Sequence, residues 1–365
     1  MKLTNLSFMK TNGVVKAVVC TSARAWQAKL TLGGKDYPDA FNDAEPYDLH
    51  THVFYIPEED FADGEASLGW RAFKNGRRTW EKRFFLRAEA FADAEALLAE
   101  YDHGLKILSR ERENVAEGLT FTKFTCEDRE GLPVILSLLQ TDLKRTALYV
   151  GTPGDGYANK KVKATIPDMA AAAEANGKNV LAAVNADFFD ILGDGHPSGL
   201  CVKNGRVVAN AHSRRPFLGV KKDGSPVIAD LAEAPGLLPE LDQAAAGLQM
   251  IVKDGALFDW APLESFSYVR HPRTAAAVTK DGSVLFLEAD GRIPAHSNGA
   301  TLVDLGLFLI SLGADRAVNL DGGGSSAVYI KTENGFTLKT VPADLFFPND
   351  MLIRKDFNSF LIVEK

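Results

Sequence analysis

The strongest constraint on the fold is a recurring turn. Asn75-Gly76, Asn204-Gly205, Asp223-Gly224, Asp254-Gly255, Asp281-Gly282 and Asn334-Gly335 each stand between β-forming runs. A two-residue hairpin loop needs positive φ at its centre, which Asn, Asp and Gly tolerate and branched residues do not. Strands joined this way pair antiparallel with their sequence neighbours. Hairpins at this density beside few helices predict an α+β fold: a mixed, largely antiparallel sheet with helices packed on it, not the regular alternation of a doubly wound fold.

The helices are marked by their ends. One has Pro167 in its first turn and Gly177 past its last, the expected start and stop asymmetry. A second is capped by Thr301, with Asp304 placed as the acid of a capping box, and stops at Gly313. A third is expected over residues 88–103, where Phe91, Ala94, Leu98 and Tyr101 fall at helical spacing before Gly104.

A chain of 365 residues has room for two domains and a large core. Residues 1–108 read as an N-terminal β-rich module ending in that third helix, and residues 115–365 as the second domain. The charged run Ser109-Arg110-Glu111-Arg112-Glu113-Asn114 is read as a solvated segment near the boundary. Trp26, Trp70 and Trp80 fall in the first module, where core packing is the expected role. Three widely spaced cysteines provide no disulfide framework and no zinc pattern. No run reaches the ~18 apolar residues of a membrane span. The first residues lack the apolar segment and cleavage site of a signal peptide. The expectation is a cytoplasmic chain, or an exported one whose leader has been removed. A net charge of −7 argues against a general nucleic-acid binder. An anionic ligand therefore needs a local basic cluster.

The stretch with the clearest chemistry is Asn319-Leu320-Asp321-Gly322-Gly323-Gly324-Ser325-Ser326. Three consecutive glycines give up more backbone entropy than a hairpin requires. Bare backbone is needed there for a ligand or for a close chain crossing. A nucleotide loop and a serine-hydrolase elbow both lead into a helix, whereas Ala327-Val328-Tyr329-Ile330 reads as strand. The phrase Ala317-Val318-Asn319-Leu320-Asp321 repeats an earlier one, Ala183-Val184-Asn185-Ala186-Asp187, and each follows a helix of similar length. Residues two apart on a strand share a face. The expectation is that both strands lie near each other in one sheet and that Asn185, Asp187, Asn319 and Asp321 converge on one pocket.

The triple-glycine stretch, with Val184-Asn185-Ala186-Asp187-Phe188-Phe189, His271-Pro272-Arg273-Thr274-Ala275 and Asp290-Gly291-Arg292 in that order, resembles the phosphodiester glycosidase family over roughly residues 115–365. The resemblance implies a hydrolase that removes a sugar, in the family's case N-acetylglucosamine, from a phosphodiester. Such a substrate makes two demands. The sugar carbon passes through an oxocarbenium-like state that a carboxylate stabilises or traps. The departing phosphate needs charge stabilisation more than a proton. Asp187, Asp290 and Asp321 are the carboxylate candidates, and Arg273 and Arg292 the cationic ones.

Gly322, Gly323 and Gly324 are expected to turn N–H groups toward an anion as a nest. Ser325 and Ser326 are expected to donate to it, and Asn185 and Asn319 to line the pocket. His196 is the first candidate for a proton relay and His271 the second. His212, beside Arg214 and Arg215, reads as part of a solvated basic loop. One of Phe188 and Phe189 is expected to line the sugar pocket. Three aspartates with backbone carbonyls also suit a divalent cation, calcium or magnesium, although no compact calcium loop is present. The partner expected is a carbohydrate or sugar phosphate. The alternatives are a glycosidase acting on non-phosphorylated polysaccharide and a non-catalytic carbohydrate-binding or envelope protein.

Overall fold

The computed structural model describes residues 3–11, 14–21, 26–38, 51–61, 64–71, 79–86, 92–93, 105–128, 131–158, 162–190, 195–210, 215–229, 233–258, 267, 269–343, 345–346, 350–351 and 353–365. The chain divides into two compact units. One is Met1–Asp102 with Asp259–Tyr268, and the other is His103–Phe258 with Val269–Lys365.

The first unit contains two four-stranded sheets. Val15, Ala17, Leu30, Phe54, Ile56, Leu68 and Trp70 form its core, so Trp70 has the packing role expected of it. The strands Gly64–Arg71 and Thr79–Leu86 pair antiparallel with Trp70 opposite Trp80. The Asn75-Gly76 turn between them lies outside the described residues, as do the side chains of Trp26 and Trp80. The expected helix over 88–103 also lies outside them, except for Ala92–Asp93. Those two residues form a short strand parallel to Leu3–Thr11.

The second unit is built on three larger sheets, one of eight strands and two of five. Every strand pair in these sheets is antiparallel. Asn204-Gly205, Asp223-Gly224, Asp254-Gly255, Asp281-Gly282 and Asn334-Gly335 each join two strands paired in this way. Asn204 and Asp254 adopt the positive φ that such turns require. A common core containing Phe121, Leu139, Phe286, Val184, Phe360, Cys201 and Leu218 draws on all three sheets.

The two marked helices are present. Ile166–Ala175 is capped by Thr165 and followed by Gly177 at φ 85°. Leu302–Ser311 has the complete Thr301–Asp304 capping box. The first packs Ile166, Ala170 and Ala173 on a five-stranded sheet, and the second lies on the eight-stranded sheet. They are decorations on a largely β fold, so the α+β expectation is corrected. The Asx-Gly turns set the architecture, and two ten-residue helices add little to it. Among the described residues no helix is long and apolar enough to cross a membrane.

The charged run 109–114 is solvated, as expected, but it is not a linker. It lies inside the twelve-residue strand Leu105–Ala116, which forms one edge of the eight-stranded sheet.

Candidate active site

The two Asn-x-Asp phrases end strands of different sheets. Val180–Asn185 inserts between Ser359–Glu364 and Val328–Thr332, and Ala314–Asn319 between Gln249–Lys253 and Arg273–Thr279. The expectation of one shared sheet is therefore overturned, because the repeated phrases pair with unrelated neighbours. The strand ends nevertheless meet. The Asp321 N–H donates to the Ala186 carbonyl at 2.9 Å. Asn185 Nδ2 donates to the Asp321 carbonyl at 2.6 Å. Asn185 Oδ1 accepts from the Thr274 hydroxyl at 2.8 Å and from the Ala327 N–H at 3.2 Å.

Asn185 is thus a buried tie between the sheets rather than a substrate contact. Asn319 does not join it. Its backbone lies opposite Ala275, on the face away from Thr274. Both polar atoms of its side chain are buried and have no hydrogen-bond partner among the described residues.

Asp187 and Asp321 form the acidic half of the site; Asp187 is buried and Asp321 partly buried. Asp187 Oδ2 accepts from the Gly199 N–H at 2.9 Å, and Arg215 Nη1 lies 3.8 Å from Oδ1. Its own N–H is fixed on Asn358 Oδ1 at 2.9 Å. Burial holds its proton well above the usual carboxylate range. Arg215 and the Gly199 N–H oppose this, and the nearby Asp321 charge adds to it. Burial likewise pushes Asp321 up, to about 6, against the Ser325 hydroxyl, the Gly322 N–H, Arg354 and Arg215. Environment thus separates two like groups, the usual arrangement of an acid–base pair.

The glycines sit where the chain crosses itself. A side chain at Gly322 would place its Cβ 2.7 Å from the Pro272 carbonyl oxygen. Gly323 has φ 63°, and a Cβ there would lie 3.0 Å from the Arg292 guanidinium. The bare backbone therefore admits the 271–273 segment and seats Arg292. The expected anion nest does not form as drawn. The Gly322 N–H is committed to Asp321 Oδ1 at 2.8 Å and the Gly323 N–H to the Pro272 carbonyl at 2.9 Å. Gly323, Gly324 and Ser325 make a 3-10 turn before the strand Val328–Thr332. Ser325 donates to Asp356 Oδ1 at 2.9 Å, and Ser326 Oγ lies 3.4 Å from the Thr274 hydroxyl.

The basic residues lie against this turn, Arg292 at Gly323 and the Arg273 backbone at Gly322. Arg273 is buried and donates to the Val269 carbonyl at 2.9 Å. Burial and the neighbouring Arg292 lower its affinity for its proton to about 10. Burial, Arg273 and Arg292 together pull His271 down. The two arginines are thus close enough to oppose each other's charge.

Asp290 is not aimed at the acid pair. Its Oδ2 contacts His296 Nε2 at 2.7 Å and its Oδ1 accepts from the Val341 N–H at 2.8 Å. Both of its carboxylate oxygens are thus engaged by His296 and Val341. His196 holds its loop through its carbonyl, which accepts from the Asp190 N–H at 3.0 Å. The acid pair itself is contacted by Gly199, Gly322 and Arg215. Phe189 is in the core, and Phe188 lies under Arg215, with the guanidinium 5.5 Å from the ring centroid. His212 lies outside the described residues.

Arg215, Thr274, Arg354 and Asn358 are site residues that sequence reasoning missed. Arg215 stood in view in a basic run that reads as solvated, yet only 7% of it is exposed. Among the described residues no three His, Cys, Asp or Glu side chains are grouped to hold a metal.

Residues 178–349 match the phosphodiester glycosidase family model. The chain is 27% identical over 219 residues to mouse N-acetylglucosamine-1-phosphodiester alpha-N-acetylglucosaminidase, covering 56% of this chain and 40% of the relative. It is 26% identical over 219 residues to the human enzyme of that name, covering 54% and 39%. The chain thus spans about two-fifths of the length of these curated relatives. The solved catalytic domain of the zebrafish enzyme of that name, auto-inhibited by its pro-peptide, aligns with a TM-score of 0.57 at 21% identity. That alignment covers 71% of this chain and 89% of the zebrafish chain, and it shows a shared fold.

Proposed function

We propose, from the match of residues 178–349 to the phosphodiester glycosidase family model, that the chain hydrolyses the bond between a sugar's anomeric carbon and a phosphodiester oxygen. The curated relatives are named for that reaction on N-acetylglucosamine. In this reading Asp321 is ionised above about pH 6 and faces the anomeric carbon as nucleophile or base. Asp187, held protonated to higher pH by its burial, manages the proton that water brings. Arg273 and Arg292 take the charge that builds on the departing phosphate, so that group leaves without needing a proton of its own. Water supplies the hydroxyl on the sugar, and a phosphate monoester departs.

One observation carries this reading. The Arg292 guanidinium rests on Gly323 while the same turn holds Asp321 through the Gly322 N–H. Acid and cation thus share one bend of backbone, which a site for neutral glycans does not require. Aryl glycosides assayed beside sugar phosphodiesters test the proposal. Turnover of the phosphodiesters, lost in Asp321→Asn, supports it. Turnover of neutral glycosides alone refutes it.

A further inference from the structure

His296 has no part in the chemistry above, yet it braces the segment that carries Arg292. We infer that His296 is a positioning residue for Arg292, acting through the Asp290 carboxylate.

Arg292 occupies left-handed backbone, φ 63°, which is uncommon for a residue with a side chain. Something outside the residue must hold it there. Gly291 supplies part of the hold. A side chain on it would strike the Pro272 nitrogen at 2.8 Å and Gly299 Cα at 2.9 Å, so the turn is wedged against the crossing segment. Asp290 supplies the rest. Its N–H donates to the Ile135 carbonyl at 3.1 Å, and its carbonyl accepts from the Ser297 hydroxyl at 2.6 Å. Its carboxylate is held by Val341 on one oxygen and by His296 on the other. The loop from Ile293 to Ser297 is closed by its own backbone, with the His296 and Ser297 N–H groups donating to the Ile293 carbonyl at 2.8 and 2.7 Å. His296 reaches back across that loop, so its ring ties the far side of the turn to the residue before Gly291.

Two other charged groups bear on the clamp. Lys123 acts on Asp290 from the strand Leu119–Asp128, two strands away in the sheet. Glu288 lies two residues before Asp290, wholly buried, with neither oxygen accepting a hydrogen bond from a described donor. It sits opposite Ser137 and Thr274. A buried acid without donors keeps its proton. Burial, with the Asp290 charge beside it, holds Glu288 well above the usual carboxylate range, so the two acids favour one negative charge between them.

This inference rests on Arg292 being the phosphate contact. The test measures kcat/KM for a sugar phosphodiester and for a neutral aryl glycoside, and the affinity for glucose 1-phosphate by calorimetry. The proteins are wild type, His296→Ala, His296→Gln, Arg292→Ala and the double variant H296A/R292A. Losing one charge-assisted hydrogen bond should lower phosphodiester kcat/KM about tenfold in His296→Ala, mostly through KM. His296→Gln, whose amide still donates to Asp290, should recover most of that. The double variant should match Arg292→Ala alone, because the two residues act in series.

Additive losses, equal losses on the neutral substrate, or unchanged glucose 1-phosphate affinity in His296→Ala each overturn the inference while leaving the hydrolase reading intact. A wild-type protein that neither cleaves phosphodiesters nor binds glucose 1-phosphate defeats both.

Discussion

Asp187 and Asp321 arrive from separate sheets and are locked together by backbone, since the Asp321 N–H donates to the carbonyl of Ala186 at 2.9 Å. Their spacing is therefore set where the sheets pack, not by one flexible loop. Each acid also has its own fixed donors, Gly199 for Asp187 and Gly322 for Asp321. Such a pair should behave as a unit under mutation.

Activity should accordingly rise along an acid limb centred near pH 6, as Asp321 loses its proton. Asp187→Asn and Asp321→Asn should each lower kcat by roughly 10²–10⁴-fold, with an unchanged circular dichroism spectrum. A pH–rate profile flat between pH 5 and 8 would remove Asp321 from the chemistry.

The same burial should cost stability. Asp321 holds its proton in the folded state up to about pH 6, against a reference value of 3.8. The folded state thus binds the proton more tightly, and stability falls as pH rises between those two values. The penalty above pH 6 is on the order of 2–3 kcal/mol. Asp321→Asn should therefore be more stable than wild type at pH 8 and close to it at pH 4. Urea unfolding at both pH values checks the sign.

The basic cluster should be visible as salt dependence. The chain carries a net charge of −7, so attraction of an anionic substrate has to come from Arg273, Arg292 and their surroundings. Raising salt from about 0.05 to about 0.5 M shortens the Debye length several-fold. KM for a sugar phosphodiester should rise in proportion, and KM for a neutral glycoside should not move. Arg292→Ala should remove most of the difference.

Gly322 and Gly323 should fail in different ways. At Gly322 an added Cβ meets the Pro272 carbonyl, which is backbone and cannot step aside. Gly322→Ala should therefore lower the melting temperature markedly. At Gly323 the obstacle is the end of a flexible arginine, which can move. Gly323→Ala should cost about 1 kcal/mol for its positive φ. It should also lower phosphodiester turnover by displacing Arg292. Melting curves read beside kcat/KM separate the two outcomes.

Local signals carried much of this structure in plain view. Asx-Gly turns marked the hairpins, Thr301 and Asp304 marked a helix start, and three glycines marked a crossing. What stayed hidden depended on partners far along the chain. Nothing local tells that Asn185 binds the carbonyl of Asp321, or that Arg215 leaves a basic run to lie buried at Asp187. Asp290 looked like an acid for catalysis because its type and motif fit, but a type does not reveal which donors will occupy its oxygens. The α+β expectation erred for a related reason. Helix ends are easy to read, and their clarity exaggerates their share of the fold.

The edge strand Leu105–Ala116 leaves one last mark on the molecule. Arg110 and Arg112 point to one side of it, and Glu111 and Glu113 to the other. Two copies joined edge to edge about a twofold axis must place each side against its own kind, guanidinium on guanidinium and carboxylate on carboxylate. In an antiparallel homodimer the arginine side is repulsive, while on the acidic side Glu113 is already paired with Lys339. Arginine meeting arginine is what discourages this edge from pairing with its own copy.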